Sequence, residues 1–277
     1  MKNITLITLA IILILIVPAS AATYPTNGEL SWKGQTWDVR SVSGEPGPNS
    51  WNANGVYIDD QGRLHLTISK ISRAWKCSEV DSRNKFGYGT FTWTVDSPIF
   101  TYDKNSVLGL FTYLDDSQEL DVEISRWGVA GGNNLWYSVQ PYNLAGNNLG
   151  SSESYTGTTI HTIEWTPDYI KFKSTTSSGQ VLSEFTYAGD IPSNPEYAIM
   201  NLWLMNGASP SDGKNIDLII SDFSYTPYQA GIPTPEPTPT PEPTPTVKYS
   251  VVIECSSQAE AQAIVSVLKN AKIKEAI

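Results

Sequence analysis

One short run of the sequence alternates acidic and apolar residues: residues 119–124 read ELDVEI. Side chains alternate between the two faces of a β-strand, so a strand here places Glu119, Asp121 and Glu123 together on one face. Crowded carboxylates repel one another, which raises the pKa of at least one of them. A protonated carboxyl beside an ionised one is the pair that glycoside cleavage requires. A solvated acidic strand face is the alternative interpretation of the same run.

The spacing of these acids sets a geometric condition. The Cα atoms of residues i and i+4 on a flat strand lie roughly 13 Å apart. A retaining pair needs its carboxyls about 5–5.5 Å apart, and an inverting pair about 6.5–9.5 Å. Only a concave strand face, with the side chains leaning together, would bring Glu119 and Glu123 to the shorter separation.

Aromatic and amide side chains share the predicted polar faces of other strands. Trp136, Gln140 and Tyr142 have one parity in a predicted strand, and Asn201 and Trp203 have one parity in another. Aromatic faces stack on the apolar CH faces of sugars, and amides pair with hydroxyls. The pattern therefore favours a carbohydrate site.

The composition limits the classes of function. The 277 residues carry 28 acids against 18 bases, a formal net charge of −10, which argues against a nucleic-acid partner because phosphate binding needs a basic footprint. Two cysteines and two histidines are too few for a four-Cys zinc site or a His-rich metal centre. No polar stretch has the form of a glycine-rich phosphate loop, so we also expect no nucleotide.

Short alternating runs separated by turn residues fill residues 23–230. In residues 90–95, for example, Phe91, Trp93 and Val95 alternate with threonines. About ten such strands in some 200 residues, with no convincing amphipathic helix, predict an all-β sandwich or barrel.

The N-terminus has the features of a targeting segment. Lys2 is followed by an apolar run over residues 4–17 and then by small residues up to Ala22. This arrangement predicts a signal peptide over residues 1–22, cleaved near Ala21 or Ala22, and hence a secreted or extracellular protein, whether free or associated with the cell surface. An uncleaved anchor is the alternative.

A second boundary follows the main domain. Residues 231–246 are rich in alternating Pro and Thr, which predicts a stiff polyproline II linker. Residues 247–277 have the pattern of a small β-α-β segment, too short to hold a core alone; we expect it to self-associate or to bind a surface partner. Because the linker separates Cys77 from Cys255, we expect two buried thiols rather than a bridge.

The run at 119–123 resembles the E-x-D-x-E signature of glycoside hydrolase family 16, and three further blocks resemble that family in the same order. They are residues 76–80 with 86–89 (KCSEV, FGYG), residues 161–167 (HTIEWTP), and residues 191–192 with 200–203 (IP, MNLW). A short E-x-D-x-E run is weakly specific, whereas four ordered blocks over residues 28–228 are strongly specific. The resemblance implies a concanavalin A-like β-jelly-roll sandwich with a substrate cleft on its concave sheet.

The resemblance also implies roles for individual residues. Glu119 corresponds to the nucleophile, Glu123 to the acid/base, and Asp121 to the residue that hydrogen-bonds the nucleophile. Sugar contacts are implied for a wider set: Glu79, Tyr113, Gln140, Tyr142, Asn201 and Trp203. Residues 124–128 depart from the family's usual continuation, and we expect Trp127 to supply a replacement platform there.

Departures from the family pattern lie at substrate-contact positions. Ser117 and Asp81 stand where lichenase-type members have Trp and Arg. They bear on the identity of the polysaccharide more than on the reaction. Some members hold a structural calcium, but the position that would supply its aspartate is Ser221, beside Asp222. We therefore expect no metal or cofactor, with that calcium as the alternative.

The prediction is a secreted retaining endo-β-glycanase acting on a 1,3- or mixed 1,3/1,4-β-glucan. Two alternatives stay open: a non-catalytic carbohydrate-binding module and a transglycosylase on the same fold. Three crowded carboxylates argue against the binding module, and no residue decides against the transglycosylase.

Overall fold

A computed structural model of the chain describes residues 22–230. The predicted signal segment before Ala22, the Pro/Thr linker and the β-α-β tail with Cys255 lie outside the described residues. Among residues 22–230, no helix is both long and apolar enough to cross a bilayer.

Eighteen β-strands and three single turns of 3₁₀-helix make up the described part of the chain. The strands are β1 (Glu29–Trp32), β2 (Gln35–Val39), β3 (Ser43–Gly44), β4 (Asn49–Ser50), β5 (Val56–Ile58), β6 (Leu64–Ile71), β7 (Ala74–Lys76), β8 (Ser78–Phe86), β9 (Gly89–Val95), β10 (Ser106–Asp115), β11 (Gln118–Ser125), β12 (Leu135–Val139), β13 (Asn148–Ser151), β14 (Thr159–Trp165), β15 (Ile170–Thr176), β16 (Val181–Tyr187), β17 (Glu196–Leu204) and β18 (Ile216–Pro227). The 3₁₀ turns are Ala53–Gly55, Ile99–Thr101 and Met205–Gly207.

Alternation of apolar and polar residues positions the strands. In β9, Phe91, Trp93 and Val95 are fully buried on one face, and threonines lie on the other. β-Branched and aromatic residues suit a pleated surface, and burying one such apolar side chain stabilises the fold by about 1.5–3 kcal/mol. Slipping the register by one residue would expose the whole set.

Apart from β3 and β4, which pair with each other, the strands form two large antiparallel sheets. The first, here called the cleft sheet, has the order β1-β2-β8-β17-β10-β11-β12-β13. The second, the back sheet, has the order β16-β15-β14-β9-β18-β6-β5, with β7 paired to β6. The predicted all-β sandwich is thereby confirmed.

Aromatic side chains join the two sheets. Trp37 of the cleft sheet contacts Phe223 of the back sheet edge-on, with ring centroids 5.1 Å apart. Tyr137 of β12 stacks on Phe172 of β15 at 5.4 Å, and its hydroxyl donates a 2.7 Å hydrogen bond to Ser174 Oγ. The buried phenol thus keeps a partner while its ring fills the core.

Cys77 is a free, buried thiol, as predicted. Its Sγ donates to Asn49 Oδ1 at 3.3 Å, and burial raises its pKa to about 12. A thiol held so far from its thiolate form is a structural residue.

Candidate active site

Strand β11 carries the acidic run through the interior of the cleft sheet. Its apolar residues point into the core, where Leu120 and Val122 are fully buried. Glu119, Asp121 and Glu123 point to the opposite face, as the alternation predicted. β10 and β12 flank the strand with antiparallel ladders, so its backbone is held on both sides.

Strand register aligns a row of functional side chains across the cleft sheet. Glu123 lies opposite Gly109 on β10, Gly109 opposite Asn201 on β17, and Asn201 opposite Glu79 on β8. Trp136 of β12 continues the row on the other side of Glu123. A Cβ at position 109 would lie 2.5 Å from Asn201 Oδ1, so the row needs a residue without a side chain there.

An open cleft of about 1120 Å³ lies over this face. All three acids of β11 line it. So do four of the predicted sugar contacts, namely Glu79, Tyr113, Asn201 and Trp203. Glu119 and Glu123 therefore face one cleft.

Burial raises the pKa of each acid in the trio, and repulsion within the trio adds to the rise for Asp121 and Glu123. Burial, with a smaller effect of Asp116, raises the pKa of Glu119 to about 7. Burial and then the charge of Glu119 raise the pKa of Glu123 to about 8. Asp121 is 4% exposed, and burial together with both glutamates holds its pKa well above the usual range. Glu123, which keeps its proton to higher pH, thus lies on the same strand face as Glu119, which loses its proton first.

Asp121 lies between the two glutamates and is hydrogen-bonded to one of them. It shares a hydrogen bond with Glu119, which lowers the pKa of Glu119 against the effect of burial. Gln140 Nε2 donates to Asp121 Oδ2 at 3.5 Å. Asp121 can therefore hold a proton that it donates to the Glu119 carboxylate.

An ion-pair network fixes the far end of the row. Glu79 is 5% exposed; its Oε1 accepts from Arg40 Nη1 at 2.7 Å, and its Oε2 accepts from Asn201 Nδ2 at 3.0 Å. The Arg40 guanidinium lies over the Trp51 ring, 4.7 Å from its centroid. The Asn201 amide is held in one orientation, which leaves its Oδ1 buried without a hydrogen-bond partner.

Three tryptophans flank the acid end of the cleft. Trp127 has a left-handed backbone (φ 50°), and its ring lies 6.3 Å from Trp203 and 6.4 Å from Trp136. Trp203 lines the cleft, whereas Trp127 does not and contacts it through the Trp203 ring. The Trp136 ring covers Gly150, because a Cβ there would lie 2.5 Å from it.

Gln140 and Tyr142 lie beyond the strand that was predicted to carry them. The predicted strand over residues 135–142 ends at Val139. Pro141 has no N–H to donate to a ladder, so pairing cannot continue through it. Gln140 still reaches Asp121, but Tyr142 is 61% exposed and does not line the cleft.

Several cleft residues were not predicted as contacts. Phe111 and Tyr197 line the cleft. Phe111 has the same parity as Tyr113 on β10, and Tyr197 the same parity as Asn201 on β17, so strand alternation could have predicted both contacts. Arg40 had no such signal, because its partnership with Glu79 depends on the pairing of β2 with β8.

The residues at the position where some family members hold a structural calcium, Ser221 and Asp222, do not fit a cation. Asp222 already forms an ion pair with Lys33, with Nζ 3.0 Å from Oδ1. Ser221 Oγ donates to Asp96 Oδ1 at 3.1 Å. A carboxylate bound to an ammonium is a poor donor for Ca²⁺, which needs six to eight oxygen ligands.

Comparisons with known proteins bear on the fold. No family model matches the sequence, and neither does any curated protein. Solved structures do match. A Bacillus licheniformis β-glucanase aligns over 76% of this chain and 99% of its own, with TM-score 0.57 and 19% identity. A laminarinase from Flavobacterium sp. UMI-01 aligns over 76% and 100%, with TM-score 0.56 and 15% identity.

A third match is a Bacteroides ovatus protein of glycoside hydrolase family 16, in complex with G4G4G3G product. It aligns over 69% of this chain and 94% of its own, with TM-score 0.53 and 12% identity. At these identities the comparisons establish the architecture. The described part of the chain has the β-jelly-roll fold of glycoside hydrolase family 16, as the four sequence blocks predicted.

Proposed function

We propose that this protein is a secreted retaining endo-β-glycanase that cleaves internal bonds of a 1,3- or mixed 1,3/1,4-β-glucan. The observation that carries the proposal is the trio of carboxyls on the floor of an open cleft, Asp121 buried and both glutamates partly buried, with raised pKa values and distinct surroundings. The names of the structural neighbours, a β-glucanase and a laminarinase, support this choice of polysaccharide.

The proposed reaction is a double displacement. The Glu119 carboxylate attacks the anomeric carbon, the bond from that carbon to the leaving oxygen breaks, and Glu123 gives its proton to that oxygen. A glycosyl ester on Glu119 results. Glu123, now ionised, takes a proton from water, whose oxygen attacks the same carbon and releases Glu119. Two inversions restore the original configuration.

Asp121 assists by holding a proton beside the nucleophile. Its hydrogen bond lowers the pKa of Glu119, whereas burial and the charge of Glu119 keep Glu123 protonated to higher pH. The two glutamates thereby take different protonation states over a shared pH range, as the first step requires.

The length of the cleft supports attack on internal bonds. Most of its lining residues lie on β2, β8, β17, β10 and β11. Strands lie about 4.8 Å apart, so these five span roughly 19 Å across the sheet. A polysaccharide crossing the strands would place several sugars on the floor at once.

The test is product formation from laminarin, mixed-linkage β-glucan, agarose, carrageenan and xyloglucan. Wild type is compared with Glu119→Gln and Glu123→Gln, and with Glu164→Gln as the control, since Glu164 lies on β14 of the back sheet. We expect one glucan to yield oligosaccharides, both active-site variants to lose at least a thousandfold in kcat, and NMR to show the β-anomer first.

Other outcomes point to the alternatives. Equal binding without cleavage by wild type and variants indicates a binding module. Products longer than the substrate indicate a transglycosylase. An α-anomer formed first contradicts the retaining mechanism. Secretion is tested separately by N-terminal sequencing of the protein from the culture medium, which should begin at Ala22 or Thr23.

A further inference from the structure

The charge of the cleft is strongly unbalanced. Eight of its lining residues are Asp or Glu, and two are Arg. Both arginines are already paired: Arg40 with Glu79 at 2.7 Å, and Arg83 with Glu29 at 2.7 Å and Asp38 at 2.5 Å. Among the residues that line the cleft, none offers an unpaired cation to a ligand. A concave surface of one sign focuses its field on whatever enters.

Asp81, one of these acids, also has an unsatisfied hydrogen-bond acceptor. It lines the cleft, and its Oδ1 is buried with no hydrogen-bond partner. Across the sheet it lies opposite Asp38 on β2 and Ile199 on β17, neither of which has a side chain that donates. The nearby guanidinium of Arg40 is directed to Glu79. A buried acceptor without a donor is costly, so a donor that enters the cleft on a ligand would gain by pairing with Asp81.

The hydrogen bonds that Asp81 can accept or donate determine which ligand groups can pair with it. A sugar hydroxyl both donates and accepts, so it can pair with Asp81 whether the carboxyl is ionised or protonated. A sulfate or carboxylate group has no donor to offer an ionised Asp81 and is also repelled by it. Rotation of the carboxyl about its terminal torsion is soft and presents either oxygen to the cleft.

We propose that the cleft selects an uncharged polysaccharide over an anionic one of the same backbone, and that Asp81 is a specificity-determining residue that hydrogen-bonds a sugar hydroxyl. This inference rests on the proposed function and narrows its substrate class. Arg40 is paired with Glu79, so Asp81, whose Oδ1 has no hydrogen-bond partner, adds a further carboxyl that a substituent on the sugar meets at this end of the row.

The experiment compares mixed-linkage β-glucan with its carboxymethylated derivative, using the full-length chain. We expect kcat/KM to be at least tenfold lower for the carboxymethylated polymer at low ionic strength, and the gap to narrow as salt is added. Asp81→Asn should raise kcat/KM on the carboxymethylated polymer several-fold. Asp81→Ala should raise KM on the neutral glucan about tenfold with little change in kcat. Asp168→Asn, an exposed acid between β14 and β15, is the matched control.

Binding to both polymers, measured by affinity electrophoresis, separates this proposal from the proposed reaction. If the protein binds only the neutral polymer and cleaves neither, the selectivity is supported and only the proposed glycanase reaction is contradicted. Equal or faster cleavage of the carboxymethylated polymer overturns the selectivity while leaving the reaction in place. An Asp81→Ala variant with wild-type kinetics overturns the role of Asp81, and binding of neither polymer overturns both proposals.

Discussion

Glu119→Gln should lower the pKa of Glu123, because the charge of Glu119 is the second cause of its elevation after burial. At the separation of a retaining pair, about 5.5 Å, and an effective dielectric constant of about 20, one charge changes a neighbour's ionisation free energy by about 3 kcal/mol. That is about two pKa units. Burial remains, so the pKa of Glu123 should stay above that of an exposed glutamate.

The assay is a ¹³C NMR titration of the glutamate side-chain carboxyls in wild type and variant. Asp121→Asn is the informative comparison, since Asp121 does not contribute to the raised pKa of Glu123. We expect that variant to leave the Glu123 titration in place. In wild type the same group should set the alkaline limb of the kcat/KM profile, near the value of about 8 given above.

A shift of less than half a unit in Glu119→Gln would refute this reasoning. Carboxyls as far apart as on a flat strand, roughly 13 Å, interact by only a few tenths of a unit once water and salt screen them. Such a result would mean that the two glutamates do not converge, and the double displacement would lose its geometric basis.

Two further predictions concern buried positions. Gly109→Ala should lower kcat/KM at least tenfold, because the new Cβ would lie 2.5 Å from Asn201 Oδ1 and displace that side chain; Gly87→Ala, with nothing within 4 Å of its Cβ, should match wild type. Glu196 is fully buried with Oε2 on Thr112 Oγ1, and burial raises its pKa to about 7. The folded state therefore holds this proton more tightly than the unfolded state, and the free energy of unfolding falls as pH rises from about 4.5 to 7. Between pH 5 and pH 8, the free energy of unfolding of Glu196→Gln should rise relative to that of wild type by on the order of 2–3 kcal/mol, as measured by urea titrations. An equal difference at both pH values would contradict a buried carboxyl that holds its proton.

Local pattern was sufficient for the fold class and for the faces of β11. Alternation is a property of consecutive residues, so Leu120 and Val122 could be assigned to the core and the three acids to the opposite face. The same rule was wrong for Tyr142 beyond the end of β12, because its parity was counted through Pro141, whereas Gln140, which precedes the proline, does reach Asp121. Proline ends the ladder, and parity has no meaning beyond it.

The row across the sheet could not be predicted from the sequence. Glu79, Gly109 and Glu123 become neighbours through pairings between strands that are distant in the chain, and the register of those pairings is set by packing of the whole sandwich. The same holds for Arg40, whose partner lies 39 residues away. Glu79 and Tyr113 were predicted only from the family resemblance, which supplies such long-range information indirectly.

The position of β11 inside the cleft sheet also has a consequence for dynamics. Opening this strand requires breaking the ladders to both β10 and β12, whereas β1 and β13 at the sheet edges are held on one side only. Amide hydrogens in the middle of β11 should therefore exchange with solvent only when the whole domain unfolds, and those at the edges much sooner. The carboxyls that are proposed to react therefore lie on a strand whose backbone is held on both sides. We therefore expect a bound polysaccharide to adapt its conformation to the cleft floor, rather than the backbone of the floor to the polysaccharide.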